Sequence, residues 1–246
     1  MIEIYDIDGT LTYGFGDIPN LTQFATYAFW PLLTEKFTKD VDGFRKRVRE
    51  WEESMVTESD PALSSHTMMQ EGINTFQENV THQEIRAFAK EVTLQFIHYG
   101  VIREEAIAYL SKKVNLGIVC ILSTGSYQDG ALGFVDALVE TGLITQEAGG
   151  ALRVSGAIVD WKKRELLHAN VRERKIKGIE MLLGDKIENI RPNIAAVYAD
   201  DPWINDHGIL EIAPPEKAFV IQTEKNKNQI LPGHYVFSTW RSIIDR

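Results

Sequence analysis

Apolar positions along this 246-residue chain fall into two rhythms. Short unbroken runs at Ile2 to Tyr5, Leu116 to Leu122, Ile194 to Ala199 and Ala218 to Ile221 are each followed by polar or turn-forming residues, the pattern of buried strands. Tyr235 to Phe237 offers a fifth run, and Leu152 to Asp160, alternating around Gly156, predicts a strand of a small antiparallel extension. Ala131 to Thr141 and Lys175 to Leu183 carry helical spacing instead, so strand and helix alternate along the chain. That alternation predicts an α/β fold with a doubly wound, Rossmann-like, mainly parallel sheet.

From Phe15 to Gly100 the strand rhythm is absent. Leu21, Phe24, Ala25, Ala28, Phe29, Leu32 and Leu33 form a helical stripe, in which Pro31 predicts a kink or break. Phe44 to Met55 and Glu84 to Ile97 read as further helices, set apart by turn signals at Ser59-Asp60-Pro61 and Asn79 to Thr81. The expected organisation is a core of residues 1–14 and 101–246 carrying an all-helical insertion, residues 15–100. Gly14, Gly16 and Pro19 at one crossing and Tyr99-Gly100 at the other suit hinges, so the insertion is expected to move against the core.

Composition narrows the partners. Lys and Arg number 26 against 35 Asp and Glu, a net charge of −9, which disfavours a broad surface for nucleic acid or anionic membrane. The longest apolar runs fall far short of the roughly 20 residues that a membrane helix needs. The opening Met-Ile-Glu-Ile-Tyr-Asp also lacks the apolar stretch of a signal peptide, so a soluble, cytoplasmic protein is expected. A single Cys120 excludes an intrachain disulfide framework. None of the six histidines makes an i, i+4 pair or joins Cys120 in a ligand spacing, so zinc is not expected.

The chemistry concentrates after the first strand. Asp6 and Asp8 stand two apart in Asp6-Ile7-Asp8-Gly9-Thr10-Leu11-Thr12, in a loop at a strand's carboxyl end, where open α/β sheets place ligands. Two carboxylates that close repel unless they share a proton or a cation, and the Gly9 and Thr10 amides suit an anion. An isolated pair of this kind is ordinarily an acidic turn, but here it has company. Ser123, with Thr124 beside it, follows a second strand; Lys177 or Lys175 opens a helix; and Asp200-Asp201-Pro-Trp-Ile-Asn-Asp206 follows another strand. In type, order and context these segments resemble the four motifs of the haloacid dehalogenase superfamily, and the resemblance spans essentially the whole chain.

The resemblance implies a Mg2+-dependent phosphatase. Asp6 would be the nucleophile that forms an aspartyl-phosphate, and Asp8 the general acid and base. Gly9, Thr10, Ser123, Thr124 and Lys177 would bind the transferring phosphoryl group. Asp6, the Asp8 carbonyl and Asp201, or Asp200 in its place, would bind the metal, with Asp206 in support. Lys177 is preferred because Gly178 permits close approach, whereas Lys175 has the better apolar spacing at Ile176, Ile179, Leu182 and Leu183. An Asp two residues after the nucleophile also marks phosphatases and phosphomutases within the family, against the halide-displacing branch.

The insertion corresponds to the family's cap and looks most like that of the phosphoserine-phosphatase branch. That branch carries a Glu soon after the first motif; Tyr13 to Asn20 has none and only Asp17. Tyr13, Phe15, Phe24, Tyr27, Phe29 and Trp30 would line a pocket or form the insertion's own core. His207 would border the phosphate site or lie at the surface, and Arg45-Lys46-Arg47 with Arg49 is the densest basic cluster. The expected substrate is a small phosphorylated metabolite; the alternatives are a phosphotyrosine-bearing phosphoprotein and a non-catalytic binding module.

Overall fold

Side-chain alternation in the first strand divides the molecule into two layers. Ile4 faces a cluster with Ile121, Ile179 and Val197, while Tyr5 faces one with Leu122, Phe134 and Tyr198. The computed structural model describes all residues except 22, 23, 25, 55–59, 204, 225, 229–233, 245 and 246. In chain order the described elements are β1 (Ile2–Tyr5), α1 (Phe29–Phe37), α2 (Val41–Ser54), α3 (Pro61–Asn74), α4 (His82–His98), α5 (Glu104–Asn115), β2 (Val119–Tyr127), α6 (Gln128–Glu140), α7 (Gln146–Ala151), β3 (Arg153–Asp160), β4 (Glu165–His168), α8 (Arg174–Leu183), α9 (Ile187–Ile190), β5 (Ile194–Ala199), α10 (His207–Glu211), β6 (Ala218–Ile221), β7 (Tyr235–Phe237) and α11 (Arg241–Ile244).

The strands form one sheet in the order β4-β3-β2-β1-β5-β6-β7, parallel throughout except for the antiparallel β3–β4 hairpin. The α/β sheet predicted from the pattern is therefore present. Register fixes what meets at its carboxyl edge: Tyr5 pairs with Leu122 on one side and Tyr198 on the other, so Asp6 and Asp200 leave β1 and β5 at nearly the level of Ser123, while β2 runs on to Tyr127.

Between β1 and β2 the chain is helical, with only two isolated bridges, Thr12–Ile102 and Thr38–Phe76, among the described residues. Its first helix begins later than the apolar stripe predicts. Leu21, Phe24, Tyr27 and Ala28 are non-helical, Ala28 is the extended residue before Phe29, and Ala25 lies outside the described residues, as do Met55 and Ser59 of the later segments. Pro31 explains the shift: its missing N–H is harmless in the first turn but would break a longer helix, so it marks a start instead of a kink. The upstream aromatics pack as a loop, Phe24 and Tyr27 both against Phe96.

Two further contacts fasten the helices to the sheet layer. α4 runs along α6, where Arg86 chelates Asp136 at 2.6 and 2.8 Å, Lys90 pairs with Glu140, and Gly133 lets the two backbones touch. α3 sits on the β3–β4 hairpin, where Gln70 accepts from Leu166 N–H at 2.8 Å and donates to the Arg164 carbonyl at 2.9 Å. The two crossings run side by side, with Tyr13 N–H bonded to the Val101 carbonyl and Arg103 N–H to that of Leu11.

A Cβ at position 133 would overlap the Arg86 carbonyl, Ala89 Cβ and the Lys90 nitrogen, and backbone gives way poorly. Gly133→Ala should therefore lower the unfolding free energy by about 2 kcal/mol: overpacking costs about 3 kcal/mol, offset by about 1 kcal/mol of helix preference. Denaturant titration measures it, and an unchanged or raised value would contradict this packing.

Candidate active site

The loop after β1 is tight because three successive amides, of Thr10, Leu11 and Thr12, all donate to the Ile7 carbonyl. Gly9 adopts φ +83°, a left-handed conformation suited to glycine, and its N–H donates to Thr12 Oγ1 at 3.0 Å. A Cβ there would also run into the Asp200 carboxylate. Asp6 is held at the strand end by its own N–H, which donates to the Tyr198 carbonyl at 2.9 Å. Asp8 is partly buried, and its Oδ1 accepts the N–H of Phe29, the first residue of α1, at 3.1 Å. Thr10 is fully buried, with a hydroxyl that has no hydrogen-bond partner.

Lys175, the second residue of α8, has no exposed surface. Its ammonium donates to Asp6 Oδ1 at 2.8 Å, Asp206 Oδ1 at 2.5 Å and the Ser123 carbonyl at 3.0 Å. Burial alone would pull this ammonium down, but Asp206 and Asp6 outweigh it and hold the group above its usual range. Burial pushes Asp6 up from the usual 3.8 to about 6, opposed by Lys175 and reinforced by Asp8. Asp206 is raised by burial and by Asp6 to about 7, again opposed by Lys175.

The structure corrects the preference for Lys177. That residue is exposed and reaches only Glu180, at 3.3 Å, because two residues further along a helix turns the side chain away from the sheet edge. It also favours Asp200 over Asp201. Asp6, Asp200 and Asp206 bring carboxylate oxygens within 4.8 Å of one another, whereas Asp201 Oδ2 accepts from Asn205 at 3.5 Å. Both oxygens of Asp206 are engaged, one by Lys175 and the other by the Asp201 N–H at 3.1 Å, so its place is to hold the lysine and the acidic loop. Ser123 and Thr124 are both buried at the end of the β2 register; Thr124 Oγ1 accepts the Ser126 N–H at 3.0 Å.

Two asparagines that carried no signal in the sequence pin this edge. Asn170 donates to the carbonyls of Thr124 and Ser155, each at 2.9 Å, and lies 3.5 Å from Ser123 Oγ. Asn226 donates to the carbonyls of Asp200 and Ile221 at 2.5 and 2.6 Å. Asp17 is likewise structural: it accepts from Gly14 and Glu224 and pairs with Arg103, which lies over the Tyr13 ring. Tyr27 and Phe29 are buried and Trp30 packs on Phe44 and Trp51, so these aromatics form the insertion's core; Phe15 is exposed. His207 faces Glu173 and Glu211, and Arg45, Lys46 and Arg47 pair with Glu35, Glu50 and Asp40.

The carboxylate oxygens that Asp6, Asp200 and Asp206 bring together are the donors a hard divalent cation prefers. No protein-family model matches the sequence, and no curated protein sequence matches it. Solved structures are similar in fold. A phosphoserine phosphohydrolase-like protein from Francisella tularensis shares 12% identity over 99% of this chain and 97% of its own, with a TM-score of 0.57. A cytosolic 5′-nucleotidase IIIB bound to cytidine shares 11% over 100% and 82%, with a TM-score of 0.62. A phosphoserine phosphatase from T. onnurineus shares 14% over 99% and 92%, with a TM-score of 0.52.

Replacing Lys175 by Met strands two buried acids without a cation and should cost about 3–5 kcal/mol of stability in chelator-treated protein. Lys177→Met should stay within about 0.5 kcal/mol; equal losses would refute the assignment. A carboxyl raised on folding stabilises most below its unfolded value, and that contribution fades as pH rises through the folded value. Asp206→Asn should therefore gain stability relative to wild type between pH 4 and 7, read by denaturation in chelator.

Proposed function

We propose that this chain, which has the fold of the haloacid dehalogenase superfamily, hydrolyses phosphoric monoesters through an aspartyl-phosphate on Asp6. The observation that carries the reading is the convergence of Asp6, Lys175 and Asp206 at adjoining strand ends, with Asp8 two residues on. A lysine enclosed between two acids is poor design for stability alone. It suits a site where a dianion must approach a carboxylate.

Lys175 occupies Asp6 Oδ1, which leaves Oδ2 as the attacking atom. As the Oδ2–phosphorus bond forms, the bond to the ester oxygen breaks, and the proton that oxygen needs comes from Asp8. Phe29 N–H holds Asp8 Oδ1, which orients the carboxyl group for that transfer. Asp8, now ionised, takes a proton from water as that water attacks phosphorus, releasing phosphate and restoring Asp6. The Gly9 and Thr10 amides are spent within the loop, on Thr12 Oγ1 and the Ile7 carbonyl, so the donors that would serve the transferring oxygens are the Thr10 and Ser123 hydroxyls. Mg2+ held by Asp6, the Asp8 carbonyl and Asp200 would supply screening between the two anions.

The insertion is docked on the core at α4–α6 and at α3–β4, which supports a small phosphorylated molecule over a segment of folded phosphoprotein. Among the described residues no helix is long and apolar enough to cross a membrane.

Purified protein should release phosphate from at least one of phosphoserine, sugar phosphates, nucleotides, phosphocholine and phosphotyrosine peptides. Release should require Mg2+ and fall by on the order of 10³-fold or more in Asp6→Asn. Release that survives this substitution would refute the nucleophile.

A further inference from the structure

Asp200 is held by a side chain that phosphate transfer does not itself use. The Asn226 side-chain nitrogen donates to the Asp200 carbonyl at 2.5 Å and to the Ile221 carbonyl at 2.6 Å, so its two hydrogens join the ends of β5 and β6. Asn226 Oδ1 accepts from the Thr223 N–H at 2.9 Å, and the Asn226 N–H donates to Thr223 Oγ1 at 3.3 Å. The carboxamide suits this place because it carries two donors and an acceptor on one plane. A carboxylate would set its oxygens against both carbonyls, and a hydroxyl would lack a donor. Asn226 is 2% exposed and Thr223 4%, so water is a poor substitute for a lost bond.

The loop that carries Asn226 is itself fastened to the chain on both sides of the insertion. Glu224 N–H donates to Asp17 Oδ1 at 2.9 Å, while Asp17 Oδ2 accepts from the Gly14 N–H at 2.9 Å and from Arg103 Nη2 at 3.2 Å. Arg103 Nε donates to the Thr12 carbonyl at 2.9 Å, and Thr12 Oγ1 accepts from the Gly9 N–H. Hydrogen bonds thus run from the reactive loop, through both crossings, to the backbone of Asp200. The Asp200 carbonyl belongs to the planar peptide between Asp200 and Asp201. Successive side chains leave an extended backbone in opposite directions, so the direction of that peptide decides which of the two acids faces Asp6. Here it is Asp200.

We propose that Asn226 is a positioning residue: by fixing the peptide between Asp200 and Asp201 it aims the Asp200 carboxylate at Asp6, and so sets the affinity of these acids for a divalent cation. The proposal rests on the phosphatase reading and deepens it, by naming the side chain that selects one of two neighbouring acids as ligand. Asn226 acts through Asp200 alone, since its own polar atoms are spent on backbone groups and on Thr223.

The test titrates Mn2+, which takes the same oxygen ligands as Mg2+, into the full chain and reads the free ion by electron paramagnetic resonance, without turnover. Asn226→Ala should weaken binding about tenfold to a hundredfold, the usual scale for a residue that orients a metal ligand. Thr223→Val removes only the hydroxyl that holds the Asn226 N–H; it should weaken binding by a smaller factor, and it carries the test if Asn226→Ala does not fold. Asn170→Ala deletes a comparable buried carboxamide that bonds Thr124 and Ser155 instead, and should leave Mn2+ affinity within about threefold of wild type. Asp200→Asn should weaken binding by itself, and adding Asn226→Ala to it should cost no more than about threefold further, because no carboxylate is left to aim. Wild-type affinity in folded Asn226→Ala, an equal loss in Asn170→Ala, full additivity with Asp200→Asn, or no Mn2+ binding by wild type overturns the proposal. The phosphatase reading fails separately: wild type then binds Mn2+, with the stated order among variants, and releases phosphate from none of the compounds named above.

Discussion

The Lys175 ammonium, shut away from solvent between Asp6 and Asp206, is the contact around which the rest of the sheet edge is arranged. An ammonium buried alone would lose its proton, and two carboxylates buried alone would keep theirs. Together, the ammonium keeps its proton and opposes protonation of both acids, which requires that β1 end, and α8 and α10 begin, at one place. The parallel register supplies that place, since the residues following Tyr5 and Ala199 leave adjoining strands together, beside Ser123 of β2. Asn170 and Asn226 then tie the emerging loops by their carbonyls.

The insertion depends on the same edge. Phe29 N–H at the start of α1 bonds Asp8, so a residue of the reactive loop is also the anchor of the first inserted helix. On the far side, α4 and α6 share ion pairs and a glycine contact, while α3 rests on the β3–β4 hairpin by way of Gln70. The helices and the Tyr5 face of the sheet consequently bury one continuous apolar cluster.

Much of this was legible in the sequence, and the misses have physical reasons. Strand runs and the Asp6 to Thr12 segment were read directly, because burial on both faces and a glycine-bearing acidic loop leave strong local patterns. Gly178 misled the choice of lysine: it is small because Asn170 and Ser155 fill the space a Cβ would take, not to admit a ligand. The apolar stripe through Ile176 and Ile179 was the better guide, since it orients α8 and so aims Lys175 at the sheet. Asp200 and Asp201 are adjacent acids, and only their direction at the end of β5 separates them. Asn170, Asn226 and the Arg103–Asp17 pair act through contacts distant in sequence, which no local pattern encodes.

The central claim is that the Asp6 carboxylate, poised by Lys175, becomes covalently phosphorylated. Borohydride quenching during turnover of a released substrate reduces an acyl phosphate to an alcohol, and peptide mass spectrometry locates the converted residue. The account predicts homoserine at position 6, dependent on substrate and absent after Lys175→Met. Full turnover with Asp6 unconverted, or conversion at another acid, would contradict it.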